Sequence, residues 1–398
     1  MKILKPLTAL ALGSAAALAL ASCSSPAGEA QTTDGLRVVA TTTQLADFAA
    51  QVGGDDIELT GLLAPGGSAH HFDPTPADLL ALGNADVLIV NGAGLDEFVD
   101  SAIESSGFDG TVIDASEGID LDEAREITHE AQHEAGAAHD EDHAHDEADA
   151  DAHDHAADDH AAEADAHDHA AEAEAHDHAD EDHAHEHSDE AHADEDHAHA
   201  EDEHDHDHGD LNPHIWTSPR YAQGMVHAIA HGLADADPAH AADFESRAEA
   251  YEAKLDALDA WIAAQFERVP AEQRVLVTGH DSLRYYLHDY GIAFAGSLLP
   301  SFEDNAEPSA AEIDALVAAI EQSGVKAIFV ESSLSPKLAR TVGQEAGVKV
   351  VDAESLFADS LGAEGSGAET YLDATVHNTR VILEAWGATP DPLPSELE

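Results

Sequence analysis

The chain has one cysteine among its 398 residues, and this scarcity restricts what can hold it together. A single cysteine excludes any disulfide bond within the chain. After the N-terminal segment, no apolar run reaches the roughly 20 residues that a membrane-spanning helix needs. The sequence therefore predicts a protein without internal disulfides and without a transmembrane helix.

Basic residues are also scarce, with 15 Lys and Arg against 83 Asp and Glu, and the formal net charge is −68. Residues 129–208 account for −32 of this charge and the rest of the chain for −36. Nucleic acid and anionic membrane surfaces would repel such a chain, because both carry dense negative charge. We therefore expect no nucleic-acid partner, and cations are the natural ligands.

Residues 129–208 form an acidic histidine tract that lacks Lys, Arg, Leu, Ile, Val, Met and all aromatic residues. Its 80 residues hold 21 of the 30 histidines and 32 of the 83 acids. A segment with so little apolar surface cannot offset the entropy of ordering it, so the composition predicts disorder. Repeated His-Asp-His and His-Ala-His units indicate metal capture, and a merely solubilising acidic spacer is the alternative interpretation.

The N-terminus has a positive start and an Ala/Leu run, which is typical of a signal peptide over residues 1–22. Cys23 directly follows Leu20-Ala-Ser22, a segment that resembles the lipobox of bacterial lipoproteins. This resemblance implies that Cys23 is lipidated and that residues 23–35 tether the protein to the outer face of the cell membrane. The alternative is that Cys23 is a small apolar core residue.

Predicted strands alternate with predicted helices on both sides of the tract, which indicates parallel sheets. We predict a first α/β lobe over residues 36–236, with a disordered insertion at 117–210, and a second α/β lobe over 270–398. Residues 237–269 contain a helix from Ala241 to about Val269, without Gly or Pro, that is long enough to link the two lobes. Its apolar positions recur at spacings of three, four and seven, namely Phe244, Tyr251, Leu255, Leu258, Trp261, Ile262 and Phe266.

Metal-ligating residue types occur after several predicted strands, where open α/β sheets bind ligands. His70 and His280 each follow a strand, Asp359 lies shortly after another, and His214 begins the return from the insertion. Two of these residues come from each lobe, so we expect an ion between the lobes. Taken singly, each histidine could be a structural residue and Asp359 a helix cap.

Four segments around these residues resemble the metal-binding solute-binding proteins of zinc and manganese ABC transporters, in the zinc-uptake branch. The segments are 70–78 (HHFDPTPAD), 212–216 (NPHIW), 278–282 (TGHDS) and 357–362 (FADSLG). Ala69 stands where the family often has proline. The resemblance covers residues 37–387 and includes a His/Asp-rich loop before the second segment.

The resemblance implies that His70, His214, His280 and Asp359 are the metal ligands, although His71 leaves the register of the first ligand open. It also implies two lobes joined by a rigid helix, with less opening and closing than in hinged binding proteins. The expected partners are an ABC permease and its ATPase subunit. Three imidazoles and one carboxylate suit tetrahedral Zn²⁺, and manganese-handling relatives typically have Glu at the third position.

We therefore predict a zinc receptor rather than an enzyme. A manganese or iron receptor on the same fold and a zinc-buffering lipoprotein are the alternatives. A zinc hydrolase is disfavoured, because the four predicted ligands leave no open position for a reactive water. We expect Trp216 to pack beneath His214. Glu303, Glu307 and Glu331 follow strands as partners of the ligands, relay groups or, as we favour, surface charges.

Overall fold

The protein is described by a computed structural model. The structure describes residues 35–68, 70, 72–140, 211–299 and 307–397. The predicted signal peptide, Cys23, nearly all of the tether, His71 and residues 141–208 of the tract lie outside the described residues. Within the described part, none of the helices has the length and apolar character that crossing a bilayer requires.

The first lobe contains a four-stranded parallel sheet in the order β2-β1-β3-β4. Strand β3 is buried along its whole length, as expected for an internal strand of a parallel sheet. The strands are β1 (Leu36–Ala40), β2 (Ile57–Gly61), β3 (Val87–Val90) and β4 (Thr111–Asp114).

Five helices of the described residues belong to this lobe, and Thr75 and Ser218 cap two of them. Thr75 caps one of them in a reciprocal capping box with Asp78. Ser218 caps another by accepting a hydrogen bond from the Tyr221 backbone N–H. The helices are α1 (Thr43–Gly53), α2 (Pro76–Gly83), α3 (Val99–Ser106), α4 (Leu121–Asp140) and α5 (Pro219–Ala236).

Helix α4 corrects the predicted start of the disordered insertion at residue 117. A short 3-10 turn at Ala115–Gly118 precedes the helix, and Ala124 and Ile127 are buried in the core. Thr128 is also buried, and its hydroxyl accepts a hydrogen bond from the backbone N–H of Asn212. The folded part of the lobe therefore continues into a mostly polar segment. Two of its apolar residues, Ala124 and Ile127, lie about one helical turn apart and are buried in the core.

The second lobe repeats the same topology, with a four-stranded parallel sheet in the order β6-β5-β7-β8. Its strands are β5 (Val275–Thr278), β6 (Ala293–Ser297), β7 (Ala327–Glu331) and β8 (Lys349–Leu356). Its helices are α7 (Arg284–Asp289), α8 (Ala310–Ser323), α9 (Lys337–Glu345) and α10 (Tyr371–Trp386). The predicted two-lobe α/β architecture is confirmed.

The predicted linking helix is α6 (Ala241–Phe266), whose 26 residues span about 39 Å at 1.5 Å per residue. All seven apolar positions predicted to form its inner face are buried. It packs along α5 and α1 of the first lobe and against α10 of the second. Helix α6 therefore joins the two lobes through a continuous apolar face.

One apolar cluster includes residues from both sheets. Val38 and Ile89 contribute from the first sheet, Leu276 and Phe329 from the second, and Leu258 of α6 belongs to the same cluster. The interface between the lobes is therefore part of the main core of the folded chain. This packing favours a rigid pair of lobes.

Candidate metal centre

The structure brings together all four predicted ligands between the two lobes. His70 lies in the loop from β2 to α2, and His214 lies at the start of a 3-10 turn that leads into α5. His280 follows β5 directly, and Asp359 lies three residues beyond β8. Their candidate ligand atoms lie within 4.8 Å of one another.

Four of the distances between the ligand atoms are close to the edge length of a tetrahedral metal site. Nε2 of His214 lies 2.9 Å from Nε2 of His70 and 3.2 Å from Nε2 of His280. Oδ1 of Asp359 lies 3.1 Å from Nε2 of His280 and 3.4 Å from Nε2 of His214. In a tetrahedral site with metal–ligand distances near 2.0–2.1 Å, neighbouring ligand atoms lie about 3.3 Å apart. The arrangement can therefore hold one divalent metal ion.

Asn212 sets the orientation of the His214 ring. The Asn212 Oδ1 atom accepts hydrogen bonds from Nδ1 of His214 at 2.7 Å and from the His214 backbone N–H at 3.1 Å. A proton on Nδ1 leaves a lone pair on Nε2, which faces the other ligand atoms. The side-chain amide of Asn212 in turn donates to the backbone carbonyl of Asp281 in the second lobe.

Glu331, at the end of β7, is fully buried behind His280, so its interpretation as a surface charge is wrong. Oε1 of Glu331 lies 3.4 Å from Nδ1 of His280, and the carboxylate accepts hydrogen bonds from the Gly279 backbone N–H and the Ser282 hydroxyl. The signal in the sequence was a glutamate that ends a wholly apolar strand. Of the other two glutamates, Glu307 is exposed and Glu303 lies outside the described residues.

Asp359 is buried, and its two carboxylate oxygens have different surroundings. Oδ2 accepts a hydrogen bond from the Ser333 hydroxyl at 2.6 Å. Oδ1 has no hydrogen-bond partner among the described residues, although it faces the histidine Nε2 atoms. Since an unsatisfied buried carboxylate oxygen is costly, a cation at this position would relieve the cost.

His70 is the one ligand candidate of the four that is only partly buried. Its backbone N–H donates to the Ser68 hydroxyl, and the same loop is joined to the second lobe where the Gly66 N–H donates to the Ser360 hydroxyl at 2.7 Å. Ser360 directly follows Asp359 in the chain. The first and fourth ligand segments are therefore connected across the cleft.

The electrostatics of the site favour a positive charge between the rings. Burial lowers the pKa of His214. Burial also acts to lower the pKa of His280, but the negative charges of Asp359 and Glu331 outweigh it and raise that pKa well above its ordinary value. Burial acts to raise the pKa of Asp359, whereas the charge of His280 and the histidine contacts hold it well below its ordinary value. Without metal, a proton on His280 supplies the positive charge that an ion would supply.

The neighbouring aromatic side chain lies where the sequence predicted it. The ring centroids of Trp216 and His214 are 5.3 Å apart, and Trp216 Nε1 donates to the carbonyl of Ala358 at 2.8 Å. The OH of Tyr371 donates to the Trp216 carbonyl. Trp216 therefore supports the His214 ring and also fixes the residue before Asp359.

A His-Glu-x-x-His pattern is also present in the sequence, at residues 129–133. The pattern lies on helix α4, and the same spacing is found in many zinc proteases. Neither histidine of the pattern is one of the four residues that converge in the cleft.

Comparison with known proteins shows which family combines this fold and site. The family model ZnuA, described as zinc-uptake complex component A, periplasmic, matches residues 38–385. The chain belongs to this family. It is therefore a solute-binding protein of an ABC importer, works outside the cytoplasm, and is not an enzyme.

The names of individual relatives state different metals. The manganese-binding lipoprotein MntA of Halalkalibacterium halodurans is 25% identical, and the match covers 89% of this chain and 90% of that protein. The zinc-binding protein TroA of Treponema pallidum is 26% identical over 87% of this chain and 88% of its own. The solved structure of periplasmic zinc-binding TroA from Treponema pallidum shares the fold, with a TM-score of 0.63, 23% identity and coverage of 88% and 98%.

Proposed function

We propose that the protein captures Zn²⁺ in the cleft and delivers it to an ABC permease driven by its ATPase subunit. In this proposal His70, His214, His280 and Asp359 are the ligands, and lipid on Cys23 anchors the receptor to the outer face of the cell membrane. The observation that carries the choice of metal is the donor set, three imidazole nitrogens and one carboxylate oxygen that converge in the cleft. Zn²⁺ accepts this set readily.

A manganese or iron receptor is the second candidate, because relatives with the same fold carry those metals in their names. Mn²⁺ prefers more oxygen ligands than this site presents. The second buried carboxylate, that of Glu331, faces Nδ1 of His280 and so lies behind the ring rather than among the ligand atoms. This placement favours zinc.

The decisive experiment is competitive metal binding to the full chain at matched free Zn²⁺ and Mn²⁺, with chelators of graded strength to separate the tightest site from binding by the tract. We expect one tight zinc site that His214→Ala or His280→Ala weakens strongly. His231→Ala, on the exposed face of α5, is the matched control and keeps the tight site. Tight zinc binding that survives both cleft substitutions would refute the ligand assignment, and a preference for Mn²⁺ would refute the choice of metal.

A further inference from the structure

Glu331 is a fully buried carboxylate that contacts the His280 loop at several points. Oε2 accepts the Gly279 backbone N–H at 2.9 Å, and Oε1 accepts the Ser282 hydroxyl at 2.9 Å. The His280 backbone N–H lies 3.4 Å from Oε1, as does Nδ1 of the His280 ring. Both oxygens are thus directed at the segment that carries the third ligand.

The loop that carries His280 has space for the Glu331 carboxylate because residue 279 is a glycine. A Cβ atom at Gly279 would lie 2.1 Å from Oε2 of Glu331, so a side chain there would displace the glutamate. Among the described residues, the group of opposite charge within ion-pair distance of Glu331 is His280 itself, rather than a lysine or arginine. A buried carboxylate normally has a cationic partner, and here the partner is a ligand ring.

The two buried histidines differ in what their Nδ1 atoms face. Nδ1 of His214 is hydrogen-bonded to the neutral amide oxygen of Asn212, whereas Nδ1 of His280 lies 3.4 Å from the Glu331 carboxylate and has no hydrogen-bond partner among the described residues. We propose that Glu331 is a positioning residue for metal capture, which keeps the proton of the His280 ring on Nδ1 and thereby directs the Nε2 lone pair at the ion. This inference rests on the proposed zinc site.

The same carboxylate also completes the charge balance of the site. Asp359 contributes one negative charge on the Nε2 side of His280, and Glu331 contributes a second on the Nδ1 side. The nearby buried Asp281 is neutralised by its ion pair with Arg284. When the His280 ring is neutral, as metal binding requires, the two carboxylates carry two negative charges, which match one divalent cation in a region where unbalanced charge is expensive.

The substitution that tests this role is Glu331→Gln, which keeps the shape of the side chain. If the amide NH₂ replaces Oε1, it faces Nδ1 of His280 and favours the tautomer with a hydrogen on Nε2, which cannot bind metal. If it replaces Oε2, it faces the Gly279 N–H, and the loop loses its anchor. Because removing a partner of a metal-ligating histidine commonly costs 10- to 100-fold, we expect zinc affinity to fall by about that factor.

Two control variants separate positioning from general support of the loop. Glu307→Gln makes the same change at an exposed site and should leave zinc affinity unchanged. Ser282→Ala removes one hydrogen bond to Glu331 but keeps its charge, so it should lose less affinity than Glu331→Gln. Each protein is also loaded with one equivalent of Co²⁺, whose visible d–d bands report the donor strength of the ligands. We expect these bands to shift in Glu331→Gln and to stay in place in Ser282→Ala.

The proposal is overturned if Glu331→Gln binds zinc within about threefold of the wild type, well short of the usual loss. It is also overturned if Ser282→Ala loses as much affinity and neither variant shifts the Co²⁺ bands, since Glu331 would then only support the loop. Should Glu331→Gln fail to fold, Gly279→Ala replaces it by displacing the carboxylate, and wild-type affinity there would have the same meaning. Failure of the zinc site itself is a separate result, because His214→Ala would then leave tight binding intact.

Discussion

The side-chain amide of Asn212 donates a hydrogen bond to the backbone carbonyl of Asp281 at 2.6 Å, and this bond joins the two lobes beside the metal centre. The oxygen of the same amide accepts from Nδ1 of His214. One side chain therefore fixes the ring of a first-lobe ligand and holds the loop that carries His280 in the second lobe.

Asn212→Ala should weaken both the fold and the site. Loss of the buried hydrogen bonds is expected to lower the free energy of unfolding by about 1–3 kcal/mol. Zinc affinity should fall by about 10- to 100-fold, because the His214 ring loses the partner that sets its tautomer. Chemical denaturation and zinc titration against a chelator measure the two effects. Asn84→Ala, at the exposed end of α2, is the control, and an equal loss of affinity there would contradict the role of Asn212.

Zinc affinity should rise steeply with pH. The negative charges around His280 raise its pKa above the ordinary value of about 6.5, so the metal-free site still holds a proton there near neutral pH. Metal must displace this proton, and affinity therefore increases until the pH exceeds the raised pKa. We expect the affinity to fall as the pH is lowered from about 7 to about 5. Titration at several pH values tests this, and a flat profile would mean that carboxylates are the main ligands.

Asp96, which precedes α3, should make stability depend on pH. Burial raises its pKa to about 6, and Oδ1 has no hydrogen-bond partner among the described residues. A carboxyl whose pKa is higher in the folded than in the unfolded protein contributes stability below about pH 3.9, and this contribution is lost as the pH rises through about 6.

Asp96→Asn should therefore stabilise the protein at pH 7, by at most about 3 kcal/mol, and the gain should shrink towards pH 4. Urea denaturation of both proteins at the two pH values measures the difference. Asp100→Asn, at an exposed position in α3, is the matched control. A gain of the same size at both pH values would show that the effect does not come from ionisation of Asp96.

Removing residues 143–207 should leave the cleft site intact and abolish a set of weaker zinc sites. The deletion begins beyond α4, because Thr128 of that helix holds the Asn212 backbone. Chelating imidazoles on a chain that must be ordered lose entropy, so each such site should bind less tightly than the preformed cleft. Thermal melting and zinc counting before and after deletion test this, and loss of the tightest site would show that the tract belongs to the cleft.

The sequence predicts those features that follow from a repeated pattern. The apolar spacing of α6 identified its whole buried face, and the alternation of strands and helices identified two parallel sheets. The four residues that converge in the cleft, His70, His214, His280 and Asp359, were found from their positions after strands and from the local segments that resemble a family.

Features that depend on a distant partner were not predictable in the same way. Glu331 is charged, and only the fold places it behind His280 instead of in solvent. The beginning of α4 was assigned to the insertion because most of its residues are polar. Only the fold shows that Ala124 and Ile127 are buried in the core. In both cases burial depends on long-range packing, which local composition does not encode.

The apolar cluster that includes side chains from both sheets and from α6 has a consequence for how the chain unfolds. Each half has its own sheet and its own smaller apolar cluster, but the main cluster is shared by both halves. Val38 and Phe329, although almost 300 positions apart in the sequence, belong to one cooperative unit. Heating should therefore melt both halves in a single transition, and a half produced alone would expose the apolar surface that normally covers α6.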